Sequence, residues 1–194
     1  MGDISFYVNS ILLGIGLAMD AFSLSIANGI ADTKMKKGRM IIISSTFSIF
    51  QFLMPLLGYI FVHTLITYFV AFQKIVPWIS LILLSYIGGK MIRDGIKGEE
   101  ETGISELTPK LLFLQGIATS IDALSVGFTI SDYSYLEAII CSLIIGIVTY
   151  GICRIGVMIG KTVGSNFEGK AQIIGGIILI IVGLEIFLKG VIIG

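Results

Sequence analysis

The chain has 194 residues, of which 55% are hydrophobic and 13% charged, and its mean hydropathy is +0.98. Soluble domains carry about 25% charged residues, so the composition excludes an ordinary soluble fold. The formal net charge is zero, which provides no overall field to attract nucleic acid. The composition predicts an integral membrane protein. We expect its partner to be the lipid bilayer, and we expect it not to bind nucleic acid.

Apolar segments long enough to cross a bilayer occur six times along the chain. A hydrocarbon core of about 30 Å needs roughly 20 apolar residues in a helix. The predicted helices cover residues 5–30, 40–63, 75–96, 111–130, 135–160 and 171–189. The predicted fold is therefore an all-α integral membrane protein with six transmembrane helices.

Basic residues are concentrated on one side of this arrangement. If the N-terminus lies outside, eleven of the 13 lysines and arginines lie at or near the cytoplasmic face, and only Lys74 and Lys189 lie outside. The cytoplasmic loops of membrane proteins carry an excess of these residues. We therefore expect the N-terminus and the C-terminus both to lie outside.

The sequence around residue 20 recurs 102 residues later. Residues 14–23 (GIGLAMDAFS) and 116–125 (GIATSIDALS) are identical at five of ten positions, and the same spacing relates Gly58 to Gly160. This pattern predicts a first three-helix repeat at 1–97, an acidic cytoplasmic connecting loop at 98–110 and a second three-helix repeat at 111–194. Because each repeat crosses the membrane an odd number of times, we expect the second to be inverted relative to the first.

Two aspartates occupy equivalent positions in these repeats. Asp20 and Asp122 each lie near the middle of a predicted helix, and therefore near mid-membrane depth. Inserting an aspartate there costs about 2.5–3.5 kcal/mol, which favours a functional role for the pair. The alternative is a protonated or hydrogen-bonded pair that only holds helices together.

Further oxygen-bearing side chains accompany the two aspartates. Hydroxyl residues share a helical face with each of them, and Gln51 lies at mid-depth in the second helix, either as a ligand or as an interhelical hydrogen-bonding group. Such a hard oxygen set suits Mg²⁺, Ca²⁺ or Mn²⁺ better than Zn²⁺ or Cu(I). The candidate metal-binding residues are Asp20, Ser23, Gln51, Thr119, Asp122 and Ser125.

Three motifs of the chain resemble those of the MntP-type manganese efflux pumps. They are LAMDAFS at 17–23, FQFLMPLLG at 50–58 and SIDALSVG at 120–127, and the similarity in length, helix number and motif order covers nearly the whole chain. The resemblance implies a secondary transporter of the bacterial inner membrane that exports Mn²⁺ as its substrate, with no cofactor and no enzymatic activity. It also implies an ion site at Asp20, Asp122 and Gln51.

Three other interpretations remain open from the sequence. A related sporulation-associated membrane family shares the two-repeat pattern. A helix-bundle scaffold would use the aspartates for packing alone. An intramembrane aspartyl protease would use them as general acid and base, although the Gly-x-Gly-Asp run typical of that class precedes neither aspartate.

Overall fold

The computed structural model describes residues 4–64, 66–97, 108–166, 171–188 and 191. These residues form helices and no strand, which confirms the predicted all-α class. Residues 98–107 of the predicted acidic loop lie outside the described part of the chain. The helices are α1 (Ile4–Ala31), α2 (Lys37–Thr64), α3 (Ile66–Lys97), α4 (Pro109–Thr119), α5 (Ile121–Thr129), α6 (Tyr135–Asn166) and α7 (Ala171–Leu188).

Four helical stretches among the described residues are long and apolar enough to cross a membrane. They are Ile4–Ala31, Lys37–Val62, Pro109–Thr129 and Tyr135–Gly164, and a shorter apolar helix covers Ile173–Leu188. The outer surfaces of the helices expose large apolar side chains, such as Ile42, Ile82 and Ile147. An exposed apolar surface of this kind is typical of helices that lie in lipid.

Local signals in the sequence place two of the helix starts. At α4, the Thr108 hydroxyl oxygen accepts a hydrogen bond from the backbone N–H of Leu111, and proline occupies the first helical position. At α6, Ser134 and Glu137 form a capping box, in which the Glu137 carboxylate accepts from the Ser134 backbone N–H at 3.0 Å and from its hydroxyl at 2.7 Å. Both starts follow from short-range hydrogen bonding.

Helices α1 and α6 pack along their lengths and run parallel. The residue numbers of the contacting positions increase together along the two helices, since Gly14 lies against Ile145 and Gly29 lies against Gly160. A Cβ atom added to Gly29 would lie 3.0 Å from the Cα atom of Gly160. The two backbones can approach this closely only because both positions are glycine.

Helix α2 lies beside α4 and α5 in the same way. The ring of Phe50 packs on Gly116, and eight residues further along α2, Gly58 packs on Gly127. A Cβ atom added to Gly58 would lie 3.1 Å from the Cα atom of Gly127. Because the contacting positions again rise together, α2 runs parallel to the α4 and α5 pair.

Helices α3 and α7 form an antiparallel pair. Gly88 contacts Gly176, whereas Gly183, one heptad later in α7, contacts Leu84. The contacting positions therefore move in opposite directions along the two helices. Leu84, with other apolar residues of α3 and α7, belongs to the larger hydrophobic cluster, which also includes residues of α1, α2 and α6.

The fourth predicted helix is interrupted, so the prediction of one continuous helix over 111–130 is wrong in this respect. Helix α4 ends at Thr119, and α5 begins at Ile121. Between them Ser120 has φ −109° and ψ 8°, outside the helical region. The stretch still has the length of one membrane span, but it consists of two helical segments.

Two side chains account for the interruption by competing for backbone groups. The Ser120 hydroxyl donates to the carbonyl of Gly116 at 2.7 Å. A carboxylate oxygen of Asp122 accepts the backbone N–H of Ala123 at 2.8 Å, which a continuous helix would direct to the carbonyl of Thr119. The break therefore leaves the Thr119 carbonyl, three residues before Asp122, without its helical donor.

Candidate cation site

The side-chain amide of Gln51 joins the two repeated motifs. Its Nε2 atom donates to the carbonyl of Leu17 on α1 at 2.8 Å and to the carbonyl of Thr119 at the end of α4 at 3.2 Å. The two acceptors are 102 residues apart, which is the spacing of the sequence repeat, and each lies three positions before an aspartate. Because one nitrogen atom bonds both, the two motifs meet at Gln51.

The orientation of the Gln51 amide follows from these partners. Both are carbonyl oxygens that can only accept, so the nitrogen must face them and the oxygen must point elsewhere. The side chain is fully buried, at 0% exposure, and its Oε1 atom has no hydrogen-bond partner among the described residues. A buried oxygen without a donor is unfavourable, and it is available to bind a cation.

Pro55 provides a second oxygen at the same place. Proline has no backbone N–H, so a proline inside α2 removes the hydrogen bond that the carbonyl four residues earlier would accept. That carbonyl belongs to Gln51. The main-chain oxygen of Gln51 therefore lacks its usual helical donor. The side-chain oxygen of the same residue also has no donor among the described residues.

The two aspartates lie in different local settings. Asp20 is part of the continuous helix α1 and is buried, with a residue exposure of 8%. Asp122 is exposed and lies in the first turn of α5, where the positive end of the helix dipole favours a carboxylate. Equivalent residues of the repeat thus lie in a continuous helix in one half and at a helix break in the other.

The three predicted hydroxyl residues are differently placed. The Ser23 hydroxyl donates to the carbonyl of Met19 at 3.1 Å, and the buried Thr119 hydroxyl donates to the carbonyl of Gln115 at 3.0 Å. Ser125 is exposed on α5, one turn after Asp122. Thr119 thus contacts Gln51 through its main-chain oxygen, and its hydroxyl proton is used within α4.

Gln115 is a buried polar residue that was not among the candidates predicted from the sequence. This residue is buried on α4 and accepts, through Oε1, a hydrogen bond from Nδ2 of Asn28 on α1 at 3.1 Å. An uncharged amide within a predicted membrane helix is the signal that could have identified it, since polar side chains inside such helices usually bond to a neighbouring helix. The amide pair adds a second polar connection between α1 and α4.

An open cavity of about 510 Å³ lies on the side of this junction where α1 begins and α5 ends. It is lined by Asn9, Leu12, Leu13, Gly16, Leu17, Thr129 and Tyr133. Leu17 is therefore both part of the cavity wall and a partner of Gln51. Within the described residues, no three His, Cys, Asp or Glu side chains form a cluster that could hold a metal ion.

The comparison with known families decides the identity. Residues 34–187 match the family model described as "Putative manganese efflux pump". The chain belongs to this manganese efflux pump family. Membership confirms the resemblance seen in the three motifs, and it confirms the prediction that the chain is not an enzyme. The family and the apolar helices together make it a multi-pass membrane protein.

Relatives in this family match the chain along almost its whole length. The protein named "Putative manganese efflux pump MntP" from Clostridium botulinum (strain Loch Maree / Type A3) is 44% identical over 195 residues, which cover 94% of each chain. The protein of the same name from Clostridium perfringens (strain 13 / Type A) is 40% identical over 203 residues, covering 92% of each chain. No solved structure is detectably similar to this member of the family.

Proposed function

We propose that the chain is a secondary transporter that exports Mn²⁺ across the bacterial inner membrane through a site between Asp20 and Asp122. The observation that carries the proposal is the Gln51 amide, which bonds the equivalent carbonyls before both aspartates and keeps its own oxygen free. Ser23, Thr119 and Ser125 complete the proposed site.

The chemistry of these groups supports a hard divalent cation as substrate. Two carboxylates balance the charge of a divalent ion, and amide and carbonyl oxygens add neutral ligands. The free Oε1 atom of Gln51 and its main-chain carbonyl are oxygens of this kind. Manganese in particular is supported by the printed names of the relatives, since oxygen ligands alone do not separate Mn²⁺ from Mg²⁺ or Ca²⁺.

We propose that the fold consists of six membrane spans arranged as two inverted three-helix repeats, with the fourth span divided into α4 and α5. The 102-residue spacing relates α1 to α4 and α5, and α2 to α6, so the parallel α1–α6 pair corresponds to the parallel pairing of α2 with α4 and α5. A spacing of 95 residues relates Gly88 to Gly183 and Leu84 to Leu179, both of these leucines being fully buried. The contacts of α3 and α7 support a pseudo-twofold axis between them.

We place both termini outside the cytoplasm, in the inner membrane of a bacterial cell. The excess of basic residues on one side supports this orientation. The turn that joins α1 to α2 then lies in the cytoplasm, where Arg39 and Asp32 form an ion pair at 3.4 Å and Lys161 donates to the carbonyl of Met35 at 2.5 Å. The charged side chains of Asp32, Arg39 and Lys161 therefore all lie at the proposed cytoplasmic surface.

Alternating access would expose the ion to each side in turn as one repeat rocks against the other. A membrane helix that is interrupted beside a carboxylate is typical of transporter binding sites, because irregular backbone is tolerated where it lines a cavity. The break at Ser120 therefore favours a transporter over a scaffold. Exchange of protons for Mn²⁺ at the two carboxylates would couple export to the proton gradient.

A flux assay tests the proposal. Purified protein is reconstituted into vesicles, and Mn²⁺ movement is followed with and without a pH gradient for the wild type, Asp20→Asn and Asp122→Asn. Asp32→Asn is the matched control, because Asp32 lies in the turn after α1 and pairs with Arg39. We expect both intramembrane variants to fall to the rate of empty vesicles and the control to keep wild-type flux. Wild-type flux in either intramembrane variant would contradict the proposed site.

A further inference from the structure

The buried amide pair of Asn28 and Gln115 is a second polar contact between the helices that carry the two motifs. Its Nδ2 to Oε1 distance is 3.1 Å, and the two residues are only 3% and 1% exposed. Asn28 lies eight residues beyond Asp20, toward the end of α1, and Gln115 lies four residues before Thr119, toward the start of α4. The pair therefore lies to one side of the Gln51 junction, which is the cytoplasmic side in the proposed orientation.

The opposite ends of the same helices carry apolar residues at the equivalent positions. The 102-residue spacing relates Asn28 to Ile130 and Gln115 to Leu13, so the amide pair corresponds to two apolar residues. Ile130 belongs to the hydrophobic cluster at that end, and Leu13 packs against this cluster and also lines the cavity of about 510 Å³. One end of the α1 and α4–α5 contact is held by a buried hydrogen bond, and the cavity lies at the other end.

We propose that the Asn28–Gln115 hydrogen bond is the cytoplasmic gate of the transport pathway. The inference rests on the proposed function, and it assigns these two residues a role in access rather than in ion binding. With the bond formed, α1 and α4 are held together on the cytoplasmic side while the cavity opens to the other side. The bond must break before Mn²⁺ can enter from the cytoplasm.

The chemistry of the pair suits a gate that opens in every cycle. Two neutral amides form a directional bond that needs no counter-ion and leaves no buried charge when it breaks. After separation, each amide can bond to water that enters the cytoplasmic opening, so neither is left unsatisfied. The equivalent residues at the other end, Leu13 and Ile130, have no side-chain hydrogen-bonding groups, so movement there breaks no side-chain hydrogen bond between them.

Cysteine labelling tests the gate without requiring transport. Ala118 is buried on α4, between Gln115 and the helix break, and the native Cys141 and Cys153 are both buried on α6. Ala118→Cys is introduced and labelled with a membrane-impermeant maleimide from the cytoplasmic side of inverted vesicles. The chain without the added cysteine gives the background.

We expect Asn28→Ala and Gln115→Ala each to raise the labelling rate of Cys at 118 by about fivefold, the factor that one ordinary buried hydrogen bond represents. Ser48→Ala is the matched control, since it removes an interhelical bond of 2.8 Å to the carbonyl of Gly146 in another interface. Its labelling should equal that of the parent. Equal labelling in the parent and both gate variants, or the same increase in the control, would overturn the proposal.

A second labelling measurement distinguishes opening of the gate from loss of folding, and it does not depend on transport. A Cys introduced at Gly16, which faces open space beside the cavity, is labelled from the outside in right-side-out vesicles. In folded gate variants this labelling should stay within about twofold of the parent or decrease, because opening one side favours closing the other. Absence of outside labelling in the parent would contradict the open outer side. Both readouts need no Mn²⁺, so they stand whether or not Mn²⁺ is the substrate.

Discussion

Replacing Gln51 by leucine tests the junction of the two motifs, because leucine has a similar size and no hydrogen-bonding groups. The substitution removes the bonds to the carbonyls of Leu17 and Thr119. The Leu17 carbonyl keeps a helical donor in α1, so this loss is about 0.6 kcal/mol, the average for such bonds in membranes. The Thr119 carbonyl lies at the break, and leaving it without a donor costs about 1–3 kcal/mol.

Part of this cost is offset, because leucine also removes the unsatisfied Oε1 atom of Gln51. We therefore expect Gln51→Leu to lower the free energy of unfolding by about 1–2 kcal/mol, measured by thermal or chemical unfolding in detergent. Loss of a proposed ligand should also lower Mn²⁺ affinity, by about 10- to 100-fold or more, the range known for groups that only support a metal site.

Ser48→Ala is the control for Gln51→Leu, because it removes one bond from the same helix to the carbonyl of Gly146. It should lower stability by about 0.6 kcal/mol and leave Mn²⁺ flux unchanged. If Gln51→Leu transports Mn²⁺ as the wild type does, with the wild-type affinity, the reasoning about the junction is refuted, whatever its effect on stability.

Two further substitutions test the packing and the helix starts. Gly160→Ala should destabilise the protein by about 1–3 kcal/mol in thermal unfolding, because the new Cβ meets the Ile26 carbonyl and backbone cannot move aside as a side chain can. Gly151→Ala on the same helix has open space and should be neutral or stabilising, so equal losses would contradict this explanation. Ser134→Ala should lower the free energy of unfolding by about 0.5–2 kcal/mol, because it removes the cap of α6. Amide hydrogen exchange in the first turn of α6 should increase, and unchanged exchange would argue against the cap.

Features that depend on composition and long-range periodicity could be predicted from the sequence. The all-α class and most helix positions followed from apolar segment length, as for α1 and α7, whose structural bounds lie within one residue of the predicted ones. The 102-residue repeat led to Asp20 and Asp122 as a pair. Gln51 stood out because an amide is rare at mid-depth in a membrane helix.

The rest depended on interactions between side chains and backbone that hydropathy does not register. The break at Ser120 arises because Ser120 and Asp122 bond to backbone groups of their own segment, and the residues are otherwise compatible with a continuous helix. The two acceptors of Gln51 and the partner of Gln115 could be found only when three helices were placed side by side. The sequence alone therefore did not identify the hydrogen-bonding partners of these amides.

Equilibrium binding of Mn²⁺ to the purified protein tests the central claim most directly, because the electron paramagnetic resonance signal of free Mn²⁺ reports binding without transport. We expect binding to the wild type and to Asp32→Asn, and a loss of affinity of about 100-fold or more in Asp20→Asn and in Asp122→Asn, since each removes one of two charges from the site. Wild-type affinity in either of these two variants would contradict a manganese site shared by the two repeats.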